Sequence, residues 1–258
     1  MASPTTSQDH IVKSFDEELE TINGSVLRMG GMAESQLANA VDALSRRDSE
    51  RAARVIAADA RIDEIEQSIN EAAVGILARR QPMANDLRAI VAALKIASDV
   101  ERIGDYAKNI AKRVQPLAQI PPVAPAHSIP RMAGLAQVII KEILDAYVAQ
   151  DAEKARRAWL RDAEVDEMYT SLFRELLTYM MEDPRAITPC THLLFIAKNI
   201  ERIGDHATNI AELIYYQVTG DRMEGGRPKG DDTSFQVVQQ PEDSTPGKDE
   251  SAGAEADE

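Results

Sequence analysis

Glu101 and Asp105 sit four residues apart in the stretch VERIGDYAKNIA (Val100–Ala111), and Glu201 and Asp205 recur at the same spacing in IERIGDHATNIA (Ile200–Ala211). Upstream, Asp59 and Asp63 form another i,i+4 pair, mirrored by Asp162 and Asp166. Residues four apart share a helix face, so each pair sets two carboxylates one turn apart. All-oxygen donor sets suit hard cations. A cation between paired acids would also relieve the like-charge repulsion that raises carboxylate pKa values. No His or Cys spacing narrows the choice of metal. Glu66 and Asn70 continue the Asp59–Asp63 line, while Tyr169 and Phe173 take their places in the second copy. Asn109 and Asn209 lie one turn beyond the motif and are outer candidates, placed to support a ligand.

The opposing reading is a helix face that is charged because it meets water. Such a face favours Glu opposite Lys rather than two acids at i,i+4, which repel. Gly104 and Gly204 point the same way. Glycine inside a helix costs about 1 kcal/mol relative to alanine, so its presence in both copies implies a close approach to the backbone beside the acids.

Helices must position these groups. Ile96, Val100, Ile103, Ala107, Ile110 and Val114 step by four and three, an apolar seam. Glu101, Asp105 and Asn109 fall on another stripe, roughly opposite. Similar patterns predict helices over 10–45, 49–79 and 84–115, then over 129–149, 152–181 and 186–219. Asp48 and Asp151 stand where N-caps belong. RMGGMA (Arg28–Ala33) recurs as RMAGLA (Arg131–Ala136), and DARIDEI (Asp59–Ile65) as DAEVDEM (Asp162–Met168). Nine of fourteen positions are identical between Ser98–Ala111 and Lys198–Ala211. Three blocks in the same order identify an internal duplication. The expected fold is all-α, a tandem pair of three-helix bundles over 10–118 and 129–220. Residues 1–9 are expected to be a flexible N-terminus. The Pro-rich 119–128 is expected to be an extended linker, its break beginning at Pro116. Residues 221–258 carry 11 acidic and 4 basic residues, and that composition predicts a disordered acidic tail.

The 258-residue chain carries a formal charge of −14, which argues against direct nucleic-acid binding. Its lone cysteine, Cys190, fits a reducing compartment. No apolar run is long enough to span a bilayer, so a cytoplasmic protein is expected. No nucleophile motif or Gly-rich phosphate loop appears, and no catalytic residue is assigned. His192 reads as structural. A di-iron bundle enzyme would carry Glu-x-x-His, but Gly104 and Gly204 stand three after the glutamates.

ERIGDYAKNIA and ERIGDHATNIAELIYY, with DARIDEIE and DAEVDEMY upstream, resemble the PhoU family of bacterial phosphate-uptake regulators. The resemblance covers about residues 10–220. It implies a flattened all-α molecule, often a homodimer, that is not an enzyme. It implies metal clusters on the acidic motifs, as in some members of the family, frequently iron or zinc; the all-oxygen donor set by itself leaves manganese and magnesium open as well. The positions carried over are Asp59, Asp63, Asp99, Glu101 and Asp105 in the first half, and Asp162, Asp166, Glu201 and Asp205 in the second. Asn199 replaces Asp99 in the second copy, which implies unequal sites. The resemblance further implies repression of the phosphate-starvation response through the sensor histidine kinase and the ATPase of the phosphate ABC transporter, with membrane association only through those partners. A di-metal carboxylate bundle enzyme and an unmetallated helical scaffold are the alternatives.

Overall fold

The structure, a computed structural model, describes residues 5–225, with side chains from residue 15. Among the described residues eight α-helices run in order: α1 (Thr5–Arg46), α2 (Ser49–Ala58), α3 (Ala60–Arg80), α4 (Asn85–Leu117), α5 (Ile129–Ala149), α6 (Ala152–Leu160), α7 (Asp162–Glu182) and α8 (Ile187–Thr219). Helix α1 starts inside the segment 1–9 that was expected to be flexible, and nearly all of the acidic tail lies outside the described residues. Among the described residues no helix is long and apolar enough to cross a membrane.

The two motif helices, α4 and α8, lie side by side in the middle of the molecule. Asp99 meets His206 at one end of their contact and Arg113 meets His192 at the other, so the helices are antiparallel. Their seams are equivalent by the 100-residue offset: Ile96, Val100, Ile103, Ala107, Ile110 and Val114 on α4, and Ile196, Ile200, Ile203, Ala207, Ile210 and Ile214 on α8, all at most 3% exposed. Each fully buried branched side chain contributes about 1.5–3 kcal/mol. Helix α1 packs on α4 and also on α5 of the other repeat, and α5 packs on α8. Tyr147 of α5 donates to Asn23 of α1 at 2.6 Å. The repeats therefore share one continuous core.

Asp48 and Asp151 cap α2 and α6 as their side chains accept from the backbone N–H of Arg51 (2.8 Å) and Lys154 (2.9 Å). Each single helix expected over 49–79 and 152–181 is two helices. The chain tightens to i→i+3 bonding at Asp59 (Ile62 N–H to Asp59 C=O, 2.8 Å) and at Arg161 (Glu164 N–H to Arg161 C=O, 3.0 Å). Neither place holds Gly or Pro. The kink sets Asp59 and Asp162 against the motif helices.

The segment after Pro116 is also less extended than its prolines imply. Helix α4 runs through Pro116 in its last turn, with the Ala118 N–H bonded to the Val114 carbonyl at 2.8 Å. A 3₁₀ turn over Ala124–Ser128 precedes α5. Arg47, at the α1–α2 turn, donates to the carbonyls of Ala118 (3.0 Å) and Ile120, tying the connection to the first repeat.

Candidate functional site

In the first repeat Asp59 is 2% exposed, at the α2–α3 kink, and faces α4. Lys108, one turn past Asp105, sends its ammonium between the two acids. It pairs with Asp105 at 2.7 Å and with Asp59. Burial works against the charge on Lys108, but the hydrogen bonds from Asp105 and Asp59 outweigh it and hold the amine well above its usual range. Arg102 reaches Asp105 at 3.3 Å and Glu101 at 3.4 Å. Burial first, and then the charge of Asp59, raises the Asp63 carboxyl. Burial and then Asp105 raise Glu101. Asp63 itself is exposed, and Asn70 donates to Glu66 at 2.6 Å beside it.

The second repeat has the same acids in a drier setting. Asp162, Asp166 and Glu201 are 1%, 2% and 5% exposed. Tyr169, in the place of Glu66, is buried and lies 4.8 Å from the Lys198 ammonium, ring face toward the charge. Thr208 stands in the place of Lys108 and donates back to the Asp205 carbonyl at 2.7 Å. The cation here is Lys198, 2.9 Å from Glu201 Oε1. The other oxygen of Glu201 is buried without a hydrogen-bond partner. Burial, reinforced by the charges of Asp205 and Asp166 and opposed by Lys198, pushes the Glu201 carboxyl up to about 7.

The repeated glycines have a direct explanation. A Cβ on Gly104 would stand 2.9 Å from Ile62 Cδ1, 3.3 Å from Gln36 Oε1 and 3.5 Å from Asp59 Oδ1. On Gly204 it would overlap Asp162 Oδ1. The glycine of each motif makes room for the first aspartate of the facing helix. Gly204→Ala is expected to destabilise the protein by about 1–3 kcal/mol through overpacking, partly offset by about 1 kcal/mol of helix propensity. Gly134→Ala, where nothing lies within 4 Å of the new methyl, is expected to stabilise by up to about 1 kcal/mol. Urea midpoints of the two variants check the contrast, and equal shifts would overturn the steric assignment.

Two sequence candidates lie elsewhere. Asp99 does not join Asp59, Asp63, Glu101 and Asp105. It accepts from Asn209 Nδ2 at 3.4 Å and lies 2.7 Å from His206 Nδ1, across the α4–α8 contact. Two residues before Glu101 is about 200° around the helix, so it points to the opposite neighbour. Asn209 likewise reaches Asp99 rather than Glu201 or Asp205, because a stripe at i, i+4, i+8 drifts about 80° over two steps. Asn109 holds the equivalent place on α4.

Among the described residues no three His, Cys, Asp or Glu side chains converge as a ligand set for one ion. The first cluster does not fit a metal, since Lys108 supplies its cation. The second has the chemistry for one, hard oxygens in a dry setting and a buried Glu201 oxygen without a partner, although its side chains are not drawn together. Sequence reasoning missed Lys108, Lys198 and Gln36. The Lys108/Thr208 and Ser98/Lys198 differences between the copies were the available signals.

The family profile described as PhoU domain matches residues 26–114 and 129–214. A Caulobacter vibrioides protein, described as a phosphate-specific transport system accessory protein PhoU homolog, is 53% identical over 224 residues, covering 86% of this chain and 97% of its own length. A Rhizobium meliloti protein of the same description is 54% identical over 229 residues, covering 88% and 97%. The crystal structure of PhoU from Pseudomonas aeruginosa superposes with a TM-score of 0.78 at 42% identity, over 80% of this chain and all of that one. A phosphate transport system regulatory protein PhoU from Streptococcus pneumoniae gives 0.76 at 29% identity, over 81% and 99%. Both repeats are matched, at the spacing and in the fold that the doubled motif implied: the chain belongs to the PhoU family.

Proposed function

We propose that this protein is an accessory protein of phosphate-specific transport. In this reading it is a cytoplasmic, homodimeric adaptor that represses the phosphate-starvation response and phosphate uptake when phosphate is plentiful. Its partners are the ATPase of the phosphate ABC transporter and the phosphate sensor histidine kinase. The observation that carries the reading is the match to an accessory protein over 97% of that protein's length, with both repeats included. The first acidic cluster supports regulation rather than catalysis: its charges are met by Lys108 of the chain itself.

Deleting the gene from its parent strain is expected to raise phosphate-regulon expression in high phosphate. A tagged copy is expected to restore repression and to retain the kinase and the ATPase in a pull-down. Unchanged expression in the deletion strain would sink the regulatory reading. Metal binding, from iron, zinc, manganese or magnesium, belongs in this proposal to Asp162, Asp166, Glu201 and Asp205 alone. Elemental analysis of protein purified without chelator tests it. Metal retained after Glu201→Gln plus Asp205→Asn would place the ion elsewhere.

A further inference from the structure

In a chain with 43 acidic and 29 basic residues, one cleft gathers three arginines with no acid in its lining. It lies between α1 and α2 of the first repeat, has a volume of about 540 Å³, and presents Arg28, Arg51 and Arg54 around Ser35, Gln36 and Asn39. Arg51 is engaged by Asp42. Arg28 and Arg54 have no carboxylate partner among the described residues. Gln36 is 6% exposed, and both its amide nitrogen and its amide oxygen are buried without a hydrogen-bond partner. An unmet buried polar group costs about 1–3 kcal/mol, so a side chain with two unmet atoms at a cationic cleft calls for a ligand.

The duplication shows that packing does not require this arrangement. At the 103-residue offset, Arg28 and Arg54 correspond to Arg131 and Arg157, but Gln36 corresponds to Ile139, 1% exposed, and Ser35 to Val138. Asn39 corresponds to Glu142, which Arg161 holds at 2.7 Å. The second repeat fills the same position in its core with an aliphatic side chain and a closed ion pair.

We propose that this cleft binds inorganic hydrogen phosphate. Guanidinium groups suit phosphoryl oxygens through paired, charge-assisted N–H donors. The amide of Gln36, whose oxygen lies toward Gly104, narrows the choice once it turns to the cleft, because it then offers donors and an acceptor side by side. Hydrogen phosphate has oxygens to receive the amide N–H and one P–O–H to donate to the amide oxygen. Sulfate at neutral pH has no proton to donate, and neither does a fully ionised phosphate monoester.

Calorimetric titration of the full chain, freed of metal and held at constant ionic strength in chloride, tests the proposal with inorganic phosphate, sulfate and adenosine monophosphate as probes. Phosphate is expected to bind saturably, one per chain, at least tenfold tighter than sulfate or the monophosphate. The exposed pair Arg28→Ala/Arg54→Ala is expected to weaken phosphate at least tenfold. Gln36→Ile, which installs the residue of the second repeat, is expected to abolish the preference over sulfate while thermal unfolding stays cooperative. Absence of saturable phosphate binding, equal binding of sulfate, tighter binding of the monophosphate, or affinity unchanged in the double-arginine variant would each overturn it. The chain is tested alone, so failure leaves the adaptor reading standing, and failure of the adaptor reading in cells leaves this cleft to be judged by the titration.

Discussion

Glu201→Gln is expected to stabilise the metal-free protein by about 3 kcal/mol at pH 8 and to change it little at pH 4. Glu201 is 5% exposed, beside Asp205 and Lys198 on its own helix and Asp166 on α7. Burial, then the neighbouring acids, pushes its carboxyl up from 4.5 to about 7 against the opposing pull of Lys198. A folded pKa above the unfolded one means that, between those values, the unfolded chain has released a proton the folded chain keeps. Stability from this group is therefore whole below about 4.5 and falls as pH rises, the loss being complete above about 7. At 1.36 kcal/mol per pKa unit the full loss is about 3 kcal/mol. Glutamine keeps the shape and removes the titration. Urea unfolding in chelator from pH 4 to pH 8 is the measurement. Stability curves for wild type and variant that run parallel across this range would refute the assignment.

Much of this site was readable from residue spacing. The pairs Asp59–Asp63, Glu101–Asp105, Asp162–Asp166 and Glu201–Asp205 are one-turn repeats on neighbouring helices of one bundle, where spacing alone allowed them either to face one another or to line adjacent patches. Burial was not readable from the pairs themselves. Asp63 is exposed and Asp166 is 2% exposed, although their motifs match. The difference tracks what stands one turn on: Glu66, held in hydrogen bonding to Asn70, against the buried ring of Tyr169. The direction of Asp99 was legible in principle, since a two-residue step crosses the helix, but family likeness grouped it with Glu101 by proximity in sequence.

Other features arise from tertiary packing and leave little local trace. The kinks at Asp59 and Arg161 carry no breaker residue, and they exist because each second helix must turn to lay its aspartate against Gly104 or Gly204. Pro116 marks a helix end only approximately, because a proline in the last turn removes one backbone donor whose loss there is small. The cleft at Gln36 emerges only when a polar residue at a core position is set against Ile139, its aliphatic counterpart.

Lys108→Thr is expected to lower stability by about 2–4 kcal/mol in chelator, and magnesium or manganese is expected to restore a substantial part. Breaking a buried ion pair by removing one partner costs about 3–5 kcal/mol. Lys108 is 21% exposed while Asp59 is 3% exposed at the side chain, so solvent screening trims the upper end. The substitution installs the residue of the second repeat, where Thr208 turns its hydroxyl to its own helix and offers the acids no charge. Asp59, Asp63, Glu101 and Asp105 would then lack their internal ammonium, and an added divalent cation would bind the folded state and raise its stability by mass action. Wild type should gain little from the same cation, because its ammonium already stands between Asp59 and Asp105. Thermal unfolding of both proteins with and without the cation decides the matter. A Lys108→Thr variant as stable as wild type would show that the ammonium does not sustain the first cluster, and one destabilised yet indifferent to cations would show that the acids around it cannot take a metal in its place.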